Sequence, residues 1–487
     1  MTIVHRLVAT LEFPAGIAPG EGRGSNRLML ARDGTGRYVL RGSALAGALR
    51  HAYARACGCR SDHASVNAWF GKALGDSDTD GGVSSPLRVP DTVLELGLGV
   101  SMGRTHNAVN RHTGAVIDGS LVTIETLPPG TKARCALLVE VPPSNDASAR
   151  EFLAFLIGLL TDGLTLGGHA ARGIGLVRPE GPVLYRRFDL SMLEEHARWL
   201  DELYAWRGGK LPTEGEPLTA SPTATGKTLC LKLRLGVPRG QDILIGGGAP
   251  LDTTPGEGGT GGADEDQHDF AILPQWVRGS DGTASWRLPG SSIRGVFRAW
   301  YARLAAREGE AVFDQLDTLR STGREPASLT GKDLAWGLYN EESGSRIQRD
   351  LDLDPASLDK LISCPVLRLF GTSFAKGRIH VADAYAQLSE PQARTHVAVD
   401  RITGGTNEGF LFSNQVLTGP IEFTITITVS EPTADEARRL AMTIRALDLG
   451  LLRVGSSKAS GRLALRSPVE ASGPGSEKFR DLTPSEE

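Results

Sequence analysis

At 487 residues the chain is too long for one ordinary hydrophobic core, so two or three domains are expected. With 40% hydrophobic and 23% charged residues it reads as a soluble globular protein, and its net charge of −4 excludes coating of nucleic acid over the whole surface while leaving room for a local basic groove. Five cysteines without a disulfide framework, no signal peptide and no apolar run long enough to span a bilayer point to the cytoplasm.

Residues 3–13, IVHRLVATLEF, read as a strand stopped by Pro14 and followed by a Gly-rich loop. LMLARDGTGRYVL is a short hairpin turning at Asp33-Gly34. VLRGSALAGALRHAYARA, 39–56, is a strand end, a Gly-Ser corner and a helix, with Ser43 at the N-cap and Arg50 further along. The open amides of such a helix start attract an anion. The competing account is that the small residues only let helix and sheet pack closely. His51, Cys57, Cys59 and His63 follow at a spacing that could clip Zn²⁺ without matching a standard ligand pattern; a loop of unligated thiols is the alternative.

Residues 86–100 give another strand, and GRTHNAVNRHTGAVIDGSLVTIETLPPGT, 103–131, reads as a long hairpin. Its basic, amide-rich tip (His106, Asn107, Arg111) suits an arm reaching over a ligand. A strand at 132–141 precedes a core helix, SAREFLAFLIGLLTDGL, and then GGHAARGIGLVRP, a Gly-rich loop with His169 and Arg172 that runs into a last strand. Glycines there free backbone amides to approach phosphate, although a structural turn accounts for them equally. Strand, helix, strands, helix, strand is the order of a ferredoxin-like sheet and defines a first domain, 1–185. A helical segment and a Pro/Gly/Thr linker fill 186–227, with the boundary in the linker.

The rest replays this plan as a second domain, 228–466. LCLKLRLGV answers the opening strand, and residues 249–268 form an acidic, Gly-rich surface loop. RLPGSSIRGVFRAWYARL, 287–304, repeats the corner and helix with Ser291, Ser292, Arg294 and Arg298. A helical insertion spans about 305–360. A second arm, 393–420, sets Thr395, His396 and Arg401 opposite Thr105, His106 and Arg111, and GSSKASGR, with Ser456, Ser457, Lys458 and Arg462, answers the basic Gly loop. Residues 467–487 are polar and read as a disordered tail. The expected architecture is α+β: two tandem ferredoxin-like, RRM-like domains with thumb hairpins and insertions. Each half offers amides, hydroxyls and cations but few aromatics, which suits recognition of a nucleic-acid backbone better than base reading.

The RGSALAG and PGSSIRG corners, the THNAVNRHTGA and THVAVDRITGG arms, the AWFG and RLFG segments, and the GGHAARG and GSSKASG loops together resemble the RAMP superfamily of CRISPR proteins. They are most similar to the backbone subunits of type III effector complexes, here duplicated in one polypeptide. The resemblance implies binding of CRISPR guide RNA by the Gly-rich loop and corner helix, a thumb wedged into the guide–target duplex, and association with other effector subunits. It further implies Mg²⁺-dependent cleavage of target RNA by an Asp before the first hairpin. Asp269 stands at that place in the second half, with His268 as a possible helper. Asn26 matches it in the first, where Asp33 is a weaker substitute. An amide cannot accept a proton or hold Mg²⁺ as a carboxylate does, so cleavage is expected from the second half only. Two alternatives stay open: a guide-binding backbone without catalysis, and a guide-processing endonuclease using His106, His112, His169 or His396. The family's zinc segment is represented by Cys57 and Cys59, but by Cys364 alone in the second half.

Overall fold

The computed structural model describes residues 2–18, 27–59, 63–72, 82–106, 122–167, 173–207, 211–218, 228–246, 270–272, 274–310, 312, 339–340, 345–346, 364–371, 377–400, 402–455 and 460–485. The first module opens with β1 (Ile3–Phe13), followed by β2 (Arg27–Leu28), β3 (Val39–Leu40), α1 (Gly42–Ala56), α2 (Ala64–Phe70), β4 (Leu87–Arg88) and β5 (Thr92–Glu95). The thumb strands β6 (Met102–His106) and β7 (Val122–Thr126) come next. β8 (Thr131–Val141), α3 (Asp146–Thr161), β9 (Leu164–Thr165), β10 (Leu176–Asp189), α4 (Leu193–Arg207) and β11 (Glu216–Pro217) complete the module.

The second module comprises β12 (Thr228–Val237), β13 (Asp242–Ile243), β14 (Phe270–Ile272), the hairpin β15 (Trp276–Arg278) and β16 (Ala284–Leu288), and α5 (Gly290–Arg307). A small hairpin, β17 (Tyr339–Asn340) with β18 (Ser345–Arg346), lies in the insertion, whose other residues beyond 312 are outside the described ones. α6 (Pro365–Phe370), β19 (Ile379–Val381), β20 (Ala384–Gln387) and the thumb strands β21 (Gln392–Val399) and β22 (Thr406–Thr418) follow. Last are β23 (Ile421–Ser430), α7 (Ala434–Asp448), β24 (Ala464–Leu465) and β25 (Glu470–Ser472).

In each module the first strand lies at the centre. β10, β1, β8 and then β4 or β5 are neighbours in one sheet, and β24, β12, β23 and β19 are neighbours in the other, all antiparallel. Numbered by their place in the repeat, both orders are 4-1-3-2, the ferredoxin-like arrangement. The chain is therefore two tandem ferredoxin-like domains, as the sequence implies.

The two sheets differ in how they are covered. β23 alternates strictly, with Ile421, Phe423, Ile425, Ile427 and Val429 in the core and Glu422, Thr424 and Thr426 on the other face, the pattern of a sheet buried on one side. β1 is buried on both faces. Ile3, Leu7, Leu11 and Phe13 meet the core beneath α1 and α3, whereas Val4 packs with Leu138, Phe188 and Trp199 of α4. Arg6, on that second face, is fully buried and pairs with Glu202 of α4. The helical segment expected after residue 186 is thus a layer of the first module. Part of the expected linker also joins the sheet, β11 pairing with β10 at its edge.

The polar segment beyond 467 is a correction. β25 pairs with β12, Phe479 is fully buried and Leu482 nearly so, and the buried carboxylate of Asp448 accepts from the Leu465 and Ser485 amides at 2.8 Å each. Two apolar side chains and one buried acid outweigh the local polarity from which disorder is expected.

The modules touch directly. The turn between β15 and β16 docks on the first module, where Leu98 N donates to Ser280 O at 2.5 Å and Ser280 N to Pro129 O at 3.2 Å.

Candidate nucleic-acid interface

Both corner helices begin two residues earlier than the N-cap serine reading requires. Arg41 and Pro289 occupy the N-caps, so Ser43 and Ser291 lie inside the first turn. The leading amide is already satisfied: Gly42 N donates to Asp91 Oδ1 and Gly290 N to Asp383 Oδ1, at 2.8 Å in each case. An internal carboxylate therefore supplies the anion that the open helix start was expected to attract. Hydrogen bonding by the Gly42 amide, and then by Arg41, holds Asp91 below its ordinary pKa. The glycine itself answers to packing, because a Cβ would stand 1.8 Å from Val89 O at Gly42 and 2.0 Å from Val381 O at Gly290.

Gly47 and Gly295 obey no such demand. Each sits mid-helix, is exposed, and would carry a Cβ with nothing within 4 Å. Glycine there destabilises a helix by about 1 kcal/mol relative to alanine. Ser43, Gly47 and Arg50 in α1, and Ser291, Gly295 and Arg298 in α5, are spaced i, i+4, i+7 on one face. A cost repeated at equivalent places without an internal packing reason fits close approach of an external backbone. Arg50 and Arg294 also serve the fold: Arg50 donates to Gly71 O (2.9 Å) and Asn67 Oδ1 (2.5 Å), and Arg294 donates to Phe370 O.

The base of each Gly-rich loop is tied to the loop after the first strand, and that loop to the thumb. In the first module Gly175 N donates to Gly16 O at 2.9 Å, and Leu127 N, just past β7, to Ile17 O at 3.0 Å. In the second, Gly461 N donates to Asp242 O at 2.7 Å, while the Asp242 carboxylate accepts from Arg394 (2.8 Å) and Thr418 (2.6 Å) at the thumb base.

Gly173, at the end of the first module's Gly-rich loop, meets the second module's corner. It is pressed against that corner, since a Cβ would lie 2.4 Å from Val381 O and 3.0 Å from Asp383 N. Arg104, at the base of the first thumb, pairs with Asp383 there at 2.9 Å, both side chains 3% exposed or less. Arg287 is buried beside them and donates to Gln275 Oε1 at 2.7 Å; burial, then the nearby Arg104 charge, pulls its pKa down to about 10. Thumb, Gly-rich loop and corner helix thus converge at the module junction.

Strand register relates the two halves at the position where the resemblance expects a carboxylate. Arg27 pairs with Thr123, itself opposite Thr105; Phe270 pairs with Ser413, itself opposite Thr395. Arg27 and Phe270 are therefore equivalent, and the residues preceding them in the chain are Asn26 and Asp269. Those two lie outside the described residues, as do His268, Asn107, Arg111, His112, His169, Arg172, Arg401, Ser456, Ser457 and Lys458. Of the rest, Thr395 and His396 are exposed on the second thumb, and His106 and Arg462 are half-buried.

Asp33 does not suit catalysis. Its carboxylate accepts from Thr35 N and Oγ1 and from Arg37 N and Nε, all within 3.0 Å, and these bonds, led by the Thr35 hydroxyl, hold its pKa far below the ordinary range. It is a turn residue. Among the described residues no three His, Cys, Asp or Glu side chains are grouped to hold a metal, so His51, Cys57, Cys59 and His63 are not gathered as a zinc site. His63 instead caps α2, its Nδ1 accepting from Ser65 N at 3.3 Å. A cavity of about 780 Å³ beside α3 and β10 contains Arg150, Arg186 and Arg187, each already holding a carboxylate.

The sequence reading missed Asp91, Asp383 and the contact with Arg104. The available signal was the Val-x-Asp repeat at 89–91 and 381–383, within segments that already aligned.

Comparison with protein-family models matches the RAMP superfamily over residues 13–178 and 272–462, which is most of the chain and both modules. The chain belongs to the RAMP superfamily. Comparison with curated proteins gives no match. Membership places this tandem RAMP protein in a CRISPR-associated superfamily, and no helix of its described residues is long and apolar enough to cross a membrane.

Proposed function

We propose that this RAMP protein is a backbone subunit of a type III CRISPR effector complex, binding CRISPR guide RNA along both modules and cleaving paired target RNA from the second module only. The observation that carries the reading is the matched open face on α1 and α5, where Gly47 and Gly295 leave room for a sugar-phosphate chain between a serine and an arginine. The junction supports a continuous path, because one module's thumb and Gly-rich loop meet the next module's corner. Asp269 is the carboxylate assigned to cleavage, and His268 a neighbouring proton carrier. The Mg²⁺ implied by the motifs would be held through Asp269.

The decisive assay begins with the RNA that co-purifies with the chain, sequenced and mapped, and continues with complementary target RNA in Mg²⁺ or EDTA. Asp269→Asn in the assembled complex is expected to abolish one cut while leaving guide binding intact. Retention of every cut would reject the nuclease assignment and leave a non-catalytic backbone. Metal-independent cutting within a repeat hairpin would favour guide processing instead.

A further inference from the structure

α4 carries two apolar faces, and the fold uses one. Trp199, Leu203 and Trp206 turn inward, with Trp199 only 6% exposed against Val4, Leu138 and Phe188. Leu193, Ala197, Leu200 and Tyr204 recur at i, i+4, i+7 and i+11, a single stripe down the opposite side. Leu193 is 84% exposed, Leu200 54% and Tyr204 82%, and Met192, just before the helix, is 59% exposed. Scattered exposed leucines are ordinary on a protein surface, but an aligned set ending in a tyrosine is the composition of an interface core.

Charge narrows the occupant. Glu194 and Asp201 lie two turns apart along one edge of the stripe, both exposed and neither ion-paired among the described residues, while Arg198 between them is turned to Glu195 at 2.9 Å. That edge repels phosphate and favours Lys or Arg on whatever docks. A two-fold antiparallel pairing of α4 with its own copy would set the two acidic edges side by side, which disfavours a homodimer here. The stripe is also separate from the proposed RNA path, because α4 covers the sheet face opposite α1 and α3.

We propose that the outer face of α4 docks an amphipathic helix of a different protein, one with an apolar stripe bordered by basic residues. This holds whether or not the second module cleaves RNA.

The test places a benzophenone photo-crosslinker at position 204 of the full-length chain, in the cells that make it, with irradiation before lysis and mass spectrometry of the adducts. The expected adduct joins position 204 to a helical segment of another polypeptide with apolar residues at i, i+4 and i+7 and a Lys or Arg edge. Reversing the acidic edge with Glu194→Arg and Asp201→Arg should lower its yield about tenfold, equivalent to about 1.4 kcal/mol. Circular dichroism of both variants checks that these surface changes leave the fold intact. Adducts only to RNA, only to this chain, or to a segment lacking that pattern would overturn the proposal, as would no adduct at all or a yield indifferent to charge reversal.

Discussion

Replacing Gly295 with alanine separates a packing role from a ligand-binding one, because the two predict opposite signs. An added Cβ meets nothing within 4 Å, so no internal clash offsets the gain in helix propensity. Gly295→Ala should therefore stabilise the isolated chain by about 0.5–1 kcal/mol. If an RNA backbone lies against that face, the same methyl group intrudes on it. Overpacking a tight contact costs about 1–2 kcal/mol, which weakens binding about 5- to 30-fold. Gly47→Ala should behave alike, whereas Gly290→Ala should destabilise, since its Cβ would stand 2.0 Å from Val381 O. Urea unfolding followed by circular dichroism reads the first quantity, and fluorescence anisotropy with the co-purifying RNA reads the second. A Gly295→Ala chain that is more stable and binds RNA with unchanged affinity would refute the assignment of this face.

Asp383→Ala should destabilise the chain by about 3–5 kcal/mol, because it strands buried Arg104; adding Arg104→Met should recover part of that loss, as a double-mutant cycle by urea unfolding would show. Phe479→Ala should cost about 3–5 kcal/mol, and removal of residues 467–487 should destabilise the second module, whereas a disordered tail would make both changes neutral in the same melts. Glu308 holds Arg438 and Arg439 at 2.7 Å, and these bonds, Arg438 first, depress its pKa from 4.5 to about 2. A depressed carboxylate contributes stability above its unfolded pKa and loses it as pH falls through the folded one, so Glu308→Gln should flatten the stability profile between about pH 4.5 and 2. Asn26→Asp restores a carboxylate at the first module's equivalent position and should add a target-RNA cut beside the Asp269-dependent one, read as a new band on a sequencing gel.

The repeat was legible because strand and helix patterns are local: β23 shows its alternation in ten residues, and the two Gly-Ser corners share spacing with the elements around them. The caps were not, because Asp91 and Asp383 reach their helices from 49 and 93 residues away, and an Asp before a strand looks locally like any solvated charge. Tail burial escaped for a related reason, since Phe479 and Leu482 are isolated apolar residues among polar ones and only packing against the second module's core explains their burial. Asp33 misled in the opposite direction: a half-buried carboxylate near the expected catalytic position is committed to its own turn.

The Arg104–Asp383 contact joins residues of a single polypeptide. Two separate one-module chains would need to encounter each other, and their contact would dissolve as the solution thinned. A covalent connection replaces that encounter with an effective concentration on the order of millimolar. Duplication has thus made the seam between neighbouring units indifferent to protein abundance, and any assembly built from this chain must grow by two units at a time.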